Sequence, residues 1–243
     1  MTERTVVAIG GGGFSMEPDN TLIDDHVLDL ARRVRGSARP RVCILATASG
    51  DAPGYIADYY AAFALRAEAT HLALFVRTVD DIDGFLMGQD VVYVGGGNTE
   101  NMLAIWRVHG VDRILRRAWE AGVVMAGHSA GSLCWFETGT TDSFGMGLAA
   151  LSGGLGLLPG SHAPHYDGEP TRRPHYQRLV AEGILPDGYA ADDGAALVFA
   201  GIALTEVVAS RPGARGYRVE RGPTGVAIET ALPTRYLGKL DRS

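Results

Sequence analysis

The sequence predicts an α/β fold: a doubly wound, mostly parallel sheet with extra antiparallel strands at the C-terminus, forming one domain over residues 1–243. Three observations predict it. Short apolar runs alternate with helix-compatible stretches through the first half of the chain, the pattern of strand–helix–strand units. Several of those runs end in glycine-rich turns, which in such a sheet gather at the carboxyl ends of the strands, where ligands bind. From Tyr189 onward the pattern changes to short β runs with turns and no helices between them, as expected of antiparallel strands added at a sheet edge.

Thr5 to Ile9 reads as a buried parallel strand leading into Gly10-Gly11-Gly12-Gly13, with a helix from about Leu22 to Val34 capped by Asn20 or Thr21. A dinucleotide fingerprint would put its third glycine at position 15, where Ser15 stands, so these glycines read as a tight turn beside a site rather than a nucleotide cradle. Arg41 to Ala46 is the second strand, Tyr55 to Ala67 an alanine-rich helix and His71 to Val76 the third strand. Asp80-Asp81-Ile82-Asp83-Gly84 lacks the further ligands of a calcium loop and reads as a solvated turn or helix start. Asp90 to Val94 is the fourth strand. It ends in Gly95-Gly96-Gly97-Asn98-Thr99, directly before a helical run from Met102 to Val108. Glycines in that position leave backbone N–H groups aimed at an anion, and Asn98 and Thr99 are either helix caps or substrate contacts. A helix over Val111 to Ala121 leads to the fifth strand.

That strand, Val123-Val124-Met125-Ala126, runs into Gly127-His128-Ser129-Ala130-Gly131 and then a helix-compatible segment. A Gly-x-Ser-x-Gly turn between strand and helix is a nucleophile elbow, in which a sharp bend projects the Ser129 hydroxyl beyond the sheet. The stretch Leu151 to Pro159 reads as a strand or buried loop delivering Ala163-Pro164-His165-Tyr166, followed by a helix over Arg172 to Glu182. The tail carries β runs at Ala195 to Phe199, Ile202 to Ser210, Tyr217 to Glu220 and Gly225 to Glu229.

Composition excludes several function classes. With 46% apolar residues the chain can bury a full core, and a formal charge of −6 with dispersed basic residues gives no footprint for nucleic acid. No stretch approaches the roughly 20 apolar residues of a membrane span, and the first apolar run is too short for a signal peptide. Cys43 and Cys134 lie in apolar surroundings and make no zinc pattern. The expectation is a cytoplasmic protein with reduced thiols, no metal and no organic cofactor.

A serine nucleophile needs a base. Of seven histidines, His26, His71 and His109 precede the elbow on helix or strand positions, and His128 points away across the turn. Among His162, His165 and His175, His165 is preferred because prolines and glycines fix its loop. The base in turn needs an acidic partner to fix its tautomer, for which Asp142, Glu137, Asp192 and Asp193 are all available, and neither spacing nor polarity decides among them.

In their order and separation, Gly97-Asn98-Thr99, Gly127-His128-Ser129-Ala130-Gly131 and Pro164-His165-Tyr166 resemble the dipeptidase E and cyanophycinase family of serine peptidases. The resemblance covers most of the chain and implies a flavodoxin-like fold similar to class I glutamine amidotransferases. It implies Ser129 as nucleophile, His165 as general base, and Gly97 with Ala130 as oxyanion-hole donors beside Gly96, Asn98 and Thr99. Thr140-Thr141 followed by Asp142 implies that Asp142 is the acid, with Glu137 second. The implied activity is hydrolysis of dipeptides or short peptides from the N-terminus through an acyl-enzyme, with Asp-Xaa as one preference; Arg172 and Arg173 are candidates for pairing with a substrate carboxylate. The resemblance also implies a homodimer. The run Ser132 to Glu137 differs from that of the aspartyl dipeptidases. Carboxylesterase chemistry is the main alternative, though no His-Gly-Gly-type motif precedes the elbow; a non-catalytic binding relative is another.

Overall fold

The computed structural model describes residues 3–145, 147–151 and 153–239. The first half alternates as β1 (Thr5–Ile9), α1 (Leu22–Arg35), β2 (Arg41–Leu45), α2 (Pro53–Phe63), β3 (Glu68–Leu72), α3 (Ile82–Met87), β4 (Val91–Val94), α4 (Thr99–His109), α5 (Val111–Glu120) and β5 (Val124–His128). Then follow α6 (Ala130–Leu133), β6 (Phe136–Thr141), β7 (Ala149–Ala150), β8 (Leu158–Ala163), α7 (Arg172–Ala181), β9 (Gly188–Ala191), β10 (Ala195–Ala200), β11 (Ala203–Ala209), β12 (Gly216–Arg221), β13 (Ala227–Ala231) and β14 (Arg235–Tyr236).

The larger sheet has the order β14-β11-β10-β1-β5-β4-β2-β3. From β1 to β3 every neighbour is parallel, and β10 lies antiparallel on the other side of β1. Covering both faces makes the central strands continuously apolar: in β1, Val6 and Ala8 face the layer of α3, α4 and α5, while Val7 and Ile9 face α1 and α2. Helix ends follow their chemistry. Asn98 caps α4 by accepting a hydrogen bond from Asn101 N–H, Asp81 caps α3 through Gly84 N–H, and α1 and α4 stop at left-handed Gly36 and Gly110. Among the described residues no helix is long and apolar enough to cross a membrane.

Two expectations need correction. The third strand lies at Glu68–Leu72 rather than His71 to Val76. It is the sheet's edge and only half buried, so its pattern is weak; Asp51 Oδ2 accepts hydrogen bonds from Leu74 and Phe75 N–H at 2.6 and 3.0 Å and turns the chain away, leaving Phe75 and Val76 exposed. The C-terminal strands do not all extend one sheet. β10 and β11 do, but β12 and β13 join a second sheet of order β13-β12-β9-β8-β6-β7. That sheet packs one face on α7 through Ala163, Tyr176, Val180 and Val219, while Phe136, Leu158 and Ala191 enter the main core. The stretch 151–159 is loop up to Leu158, and Ser152 within it lies outside the described residues.

Candidate active site

The site is built on the carboxyl end of β1. Ser129 N–H donates to Ile9 O at 3.2 Å, and His165 N–H donates to the next carbonyl, Gly10 O, at 3.2 Å. One residue further, Gly11 bridges to Asp193, with Gly194 N–H donating to Gly11 O at 2.7 Å. Three consecutive backbone units thus bring together residues from β5, from the loop after β8 and from the loop after β9. A side chain on Gly11 would displace this pair: a Cβ would overlap Asp193 Oδ1 and lie 2.7 Å from His165 Cε1 and Nδ1.

Ser129 occupies the strained turn between β5 and α6, with φ 57° and ψ −120°, a backbone region that side-chain-bearing residues seldom adopt. His165 is held at φ 52°. Its Nδ1 lies 2.6 Å from Asp193 Oδ1, and both side chains are 14% exposed. Burial alone would raise the Asp193 carboxyl, but the hydrogen bond and charge of His165, with Arg211 and Arg172, hold it below the ordinary carboxylate range. Ser129 Oγ and His165 Nε2 make no hydrogen bond to each other or to another described residue; such bonds commonly tighten only around substrate.

The loop after β4 lies against the serine. A Cβ on Gly96 would sit 3.3 Å from Ser129 Cβ. Along this loop Gly95 N–H donates to Leu45 O, Gly96 N–H to Tyr55 Oη at 3.0 Å, and Asn98 N–H to Ala48 O. Gly97 N–H alone of the four has no partner among the described residues, and neither has Ala130 N–H. Gly97 stands at φ 134°, and a Cβ there would overlap Ala48 O, so only glycine fits.

The other sequence candidates fall elsewhere. The carboxylate that reaches His165 is Asp193, not Asp142 or Glu137. Asp142 is exposed at the end of β6 and lines a cavity of about 510 Å³ with Leu148, Glu169, Thr171 and His175. Glu137 is exposed near the start of the same strand and accepts from Gly160 N–H at 2.8 Å. Gly96 cannot donate to an oxyanion, because Tyr55 takes its N–H. Thr99 is buried in the first turn of α4, so it is not a surface for substrate. Asn98 caps that helix and donates from Nδ2 to Ser143 O at 3.0 Å, tying the loop after β6 to the glycine loop. Arg172 is buried on Glu169 and Thr140 O, and Arg173 is paired with Glu229. Asp192 faces away, accepting from Arg215 N–H and the Tyr217 hydroxyl. A sequence signal for Asp193 existed in Asp192-Asp193-Gly194, acidic residues and a turn former at the end of a buried strand of small residues.

Two buried histidines stay neutral. Burial, with the charge of His165, pushes His128 to about 3. Burial, with Arg172 and His165 nearby, pushes His162 to about 3. Burial conversely raises Asp24 and Asp192 to about 6. The signs give a pH profile. Below 6.5 the unfolded chain protonates two imidazoles that the folded chain leaves neutral, so stability falls as pH drops from 6.5 toward 3. Between about 6 and 3.8 the folded chain instead protonates two carboxyls that stay ionised on unfolding, which offsets that loss. Below 3.8 the offset stops and Asp193 adds its own loss. His26 and His175, also lowered, add a loss just below 6.5, and Glu229, lowered, adds one below 4.5. Urea unfolding midpoints should therefore dip below pH 6.5, level off toward pH 4.5 and fall steeply below 4; a rise in midpoint as pH drops below 4 would contradict these environments.

The description "Peptidase family S51" belongs to a family model that matches residues 6–207. An uncharacterized peptidase of Bacillus subtilis (strain 168), YgaJ, is 50% identical over 236 residues, covering 97% of this chain and all of that protein. Among solved structures, a peptidase from an acI-B1 actinobacterium superposes with TM-score 0.68 at 15% identity, covering 96% of each chain. A candidate peptidase E of Listeria monocytogenes EGD-e gives 0.53 at 17% identity, over 95% of this chain and 100% of that one. At such identities the two structures speak for the fold.

Proposed function

The chain belongs to peptidase family S51, and from that premise we propose that it is a serine peptidase cleaving dipeptides or short peptides from the amino terminus through an acyl-enzyme on Ser129. The observation that carries this reading is the convergence at the end of β1, where successive carbonyls of Ile9 and Gly10 hold the elbow serine and a histidine already paired with Asp193.

In this mechanism Ser129 Oγ attacks the scissile carbonyl carbon while His165 Nε2 accepts its proton. Asp193 holds the Nδ1 proton and stabilises the imidazolium. The developing oxyanion accepts hydrogen bonds from Gly97 and Ala130 N–H, neither of which has a partner among the described residues. As the C–N bond breaks, the proton on Nε2 passes to the leaving amine. Water, deprotonated by the same nitrogen, then attacks the ester and releases the acyl group and Ser129. The cavity beside Asp142 adjoins this centre: its wall at Glu169 donates from N–H to His165 O at 3.3 Å, and Ser143 is tied to Asn98. Substrate is proposed to enter there.

The preference for the amino-terminal residue is a finer question. Arg172 and Arg173, the candidates for an aspartate side chain, are both held by internal carboxylates, and Asp142 and Glu169 line the cavity. Amino-terminal Asp is therefore expected to give no advantage over neutral residues. A panel of Xaa-Yaa dipeptides and short peptides, with products identified by mass, tests this. Selective cleavage of Asp-Xaa would refute the expectation about specificity. Turnover of esters but no peptide would replace the peptidase reading with an esterase one.

A further inference from the structure

The amide of Gly96 and the ring of His128 meet at one atom that the mechanism above does not use, the hydroxyl of Tyr55. Tyr55 stands in the first turn of α2. Its Oη accepts from Gly96 N–H at 3.0 Å and lies 2.7 Å from His128 Nε2, with Ser15 Oγ 2.9 Å from that nitrogen. Phe14 closes the cluster, packing edge-on against Tyr55 at 5.4 Å and against His128 at 5.7 Å. His128 immediately precedes Ser129, and Gly96 immediately precedes Gly97, so one phenol connects the residue before the nucleophile with the residue before the oxyanion donor.

We propose that Tyr55 is a positioning residue: its hydroxyl, set against His128, holds Gly96 N–H and so fixes the peptide between Gly95 and Gly96, from which the next peptide extends with Gly97 N–H facing the oxyanion. This rests on the serine-peptidase reading of the site. Gly96 N–H belongs to the rigid peptide between Gly95 and Gly96, and Asn98 N–H to that between Gly97 and Asn98, so with both held the Gly96–Gly97 peptide is suspended between two fixed planes. Without that anchor Gly96 N–H would itself be an unsatisfied donor competing to turn inward. Of the neighbouring anchors, Gly95 on Leu45 O holds the peptide one step earlier and Asn98 on Ala48 O the peptide after Gly97, so loss of the Tyr55 contact frees the plane directly before the Gly96–Gly97 peptide. The hydroxyl is present throughout the working range, since burial pushes the phenol up to about 12. His128 likewise remains a neutral partner.

The test is Tyr55→Phe in the full chain, assayed on the best peptide from the panel. A misplaced oxyanion donor costs transition-state binding and not ground-state binding, so kcat should fall about tenfold to a hundredfold with KM nearly unchanged. Affinity for a peptide boronic acid, which forms a tetrahedral adduct, should fall by the same factor while affinity for the product peptide holds. Tyr60→Phe is the control. It removes the same group from the same helix, where the hydroxyl meets His71 Nδ1 at 2.8 Å, and should stay within about twofold. If Tyr55→Phe does not fold, as judged by thermal unfolding, His128→Asn removes the other end of the contact and is read the same way. Wild-type kcat, or equal loss of boronate and product affinity, would overturn the positioning role. Ser129→Ala beside these separates the two readings: turnover lost there but normal in Tyr55→Phe removes only the proposal, whereas turnover kept there removes both.

Discussion

Ser129→Ala should abolish peptide hydrolysis, with a loss on the order of 10⁴ to 10⁶ in kcat, and leave the thermal unfolding temperature close to that of the wild type. The reasoning is local. The hydroxyl makes no hydrogen bond to any described residue, while the backbone of Ser129 carries the structural duties, donating to Ile9 O and accepting from Ser132 and Leu133 N–H. Alanine keeps those bonds and removes only the atom that forms the ester. Treatment of the wild type with a fluorophosphonate should add one adduct mass at Ser129, and the variant should take none. Residual turnover within a few-fold of wild type would mean that the elbow is not where bond cleavage occurs.

The second large effect is expected at Asp193. Asp193→Asn should lower kcat by about 10² to 10⁴, because an amide beside His165 Nδ1 favours the tautomer with the wrong nitrogen protonated and cannot stabilise the imidazolium. Asp142→Asn and Glu137→Gln should remain within a few-fold, since one lines a cavity and the other binds Gly160 N–H. A loss that followed Asp142 instead of Asp193 would require His165 to leave the geometry described above. The three variants, compared by kcat and by thermal unfolding, assign the acid directly.

Much of the fold was legible because its central strands are buried on both faces. Val6 to Ile9, Val91 to Val94 and Val123 to Ala126 are continuously apolar, and the helices between them carry plain start and stop residues. The second sheet was not legible. Its strands β6 and β8, Phe-Glu-Thr-Gly-Thr-Thr and Leu-Pro-Gly-Ser-His-Ala, are poor in β-branched apolar residues, and their burial does not alternate. In the site, local context marked Ser129 and the loop of His165. The acid could not be read the same way, because its identity depends on which residue Gly11 meets across the sheet edge, a pairing between positions far apart in the chain. The free N–H of Gly97 and the held N–H of Gly96 are likewise products of tertiary hydrogen bonding to Ala48 and Tyr55 neighbours, invisible in a run of three glycines.

The closing of the site on β1 has a consequence for biosynthesis. Gly10 and Gly11 are made well before Asp193, which stands 28 positions beyond His165, and β10, which zips onto β1 alongside them, comes later still. A growing polypeptide that has already exposed Ser129 and His165 therefore still lacks the carboxylate that pairs with that histidine. The pair of His165 and Asp193 can form only after the segment around Asp193 has been translated and β10 has docked along β1. The order of synthesis thus delays the assembly proposed as catalytic until the segment that docks on β1 has been made.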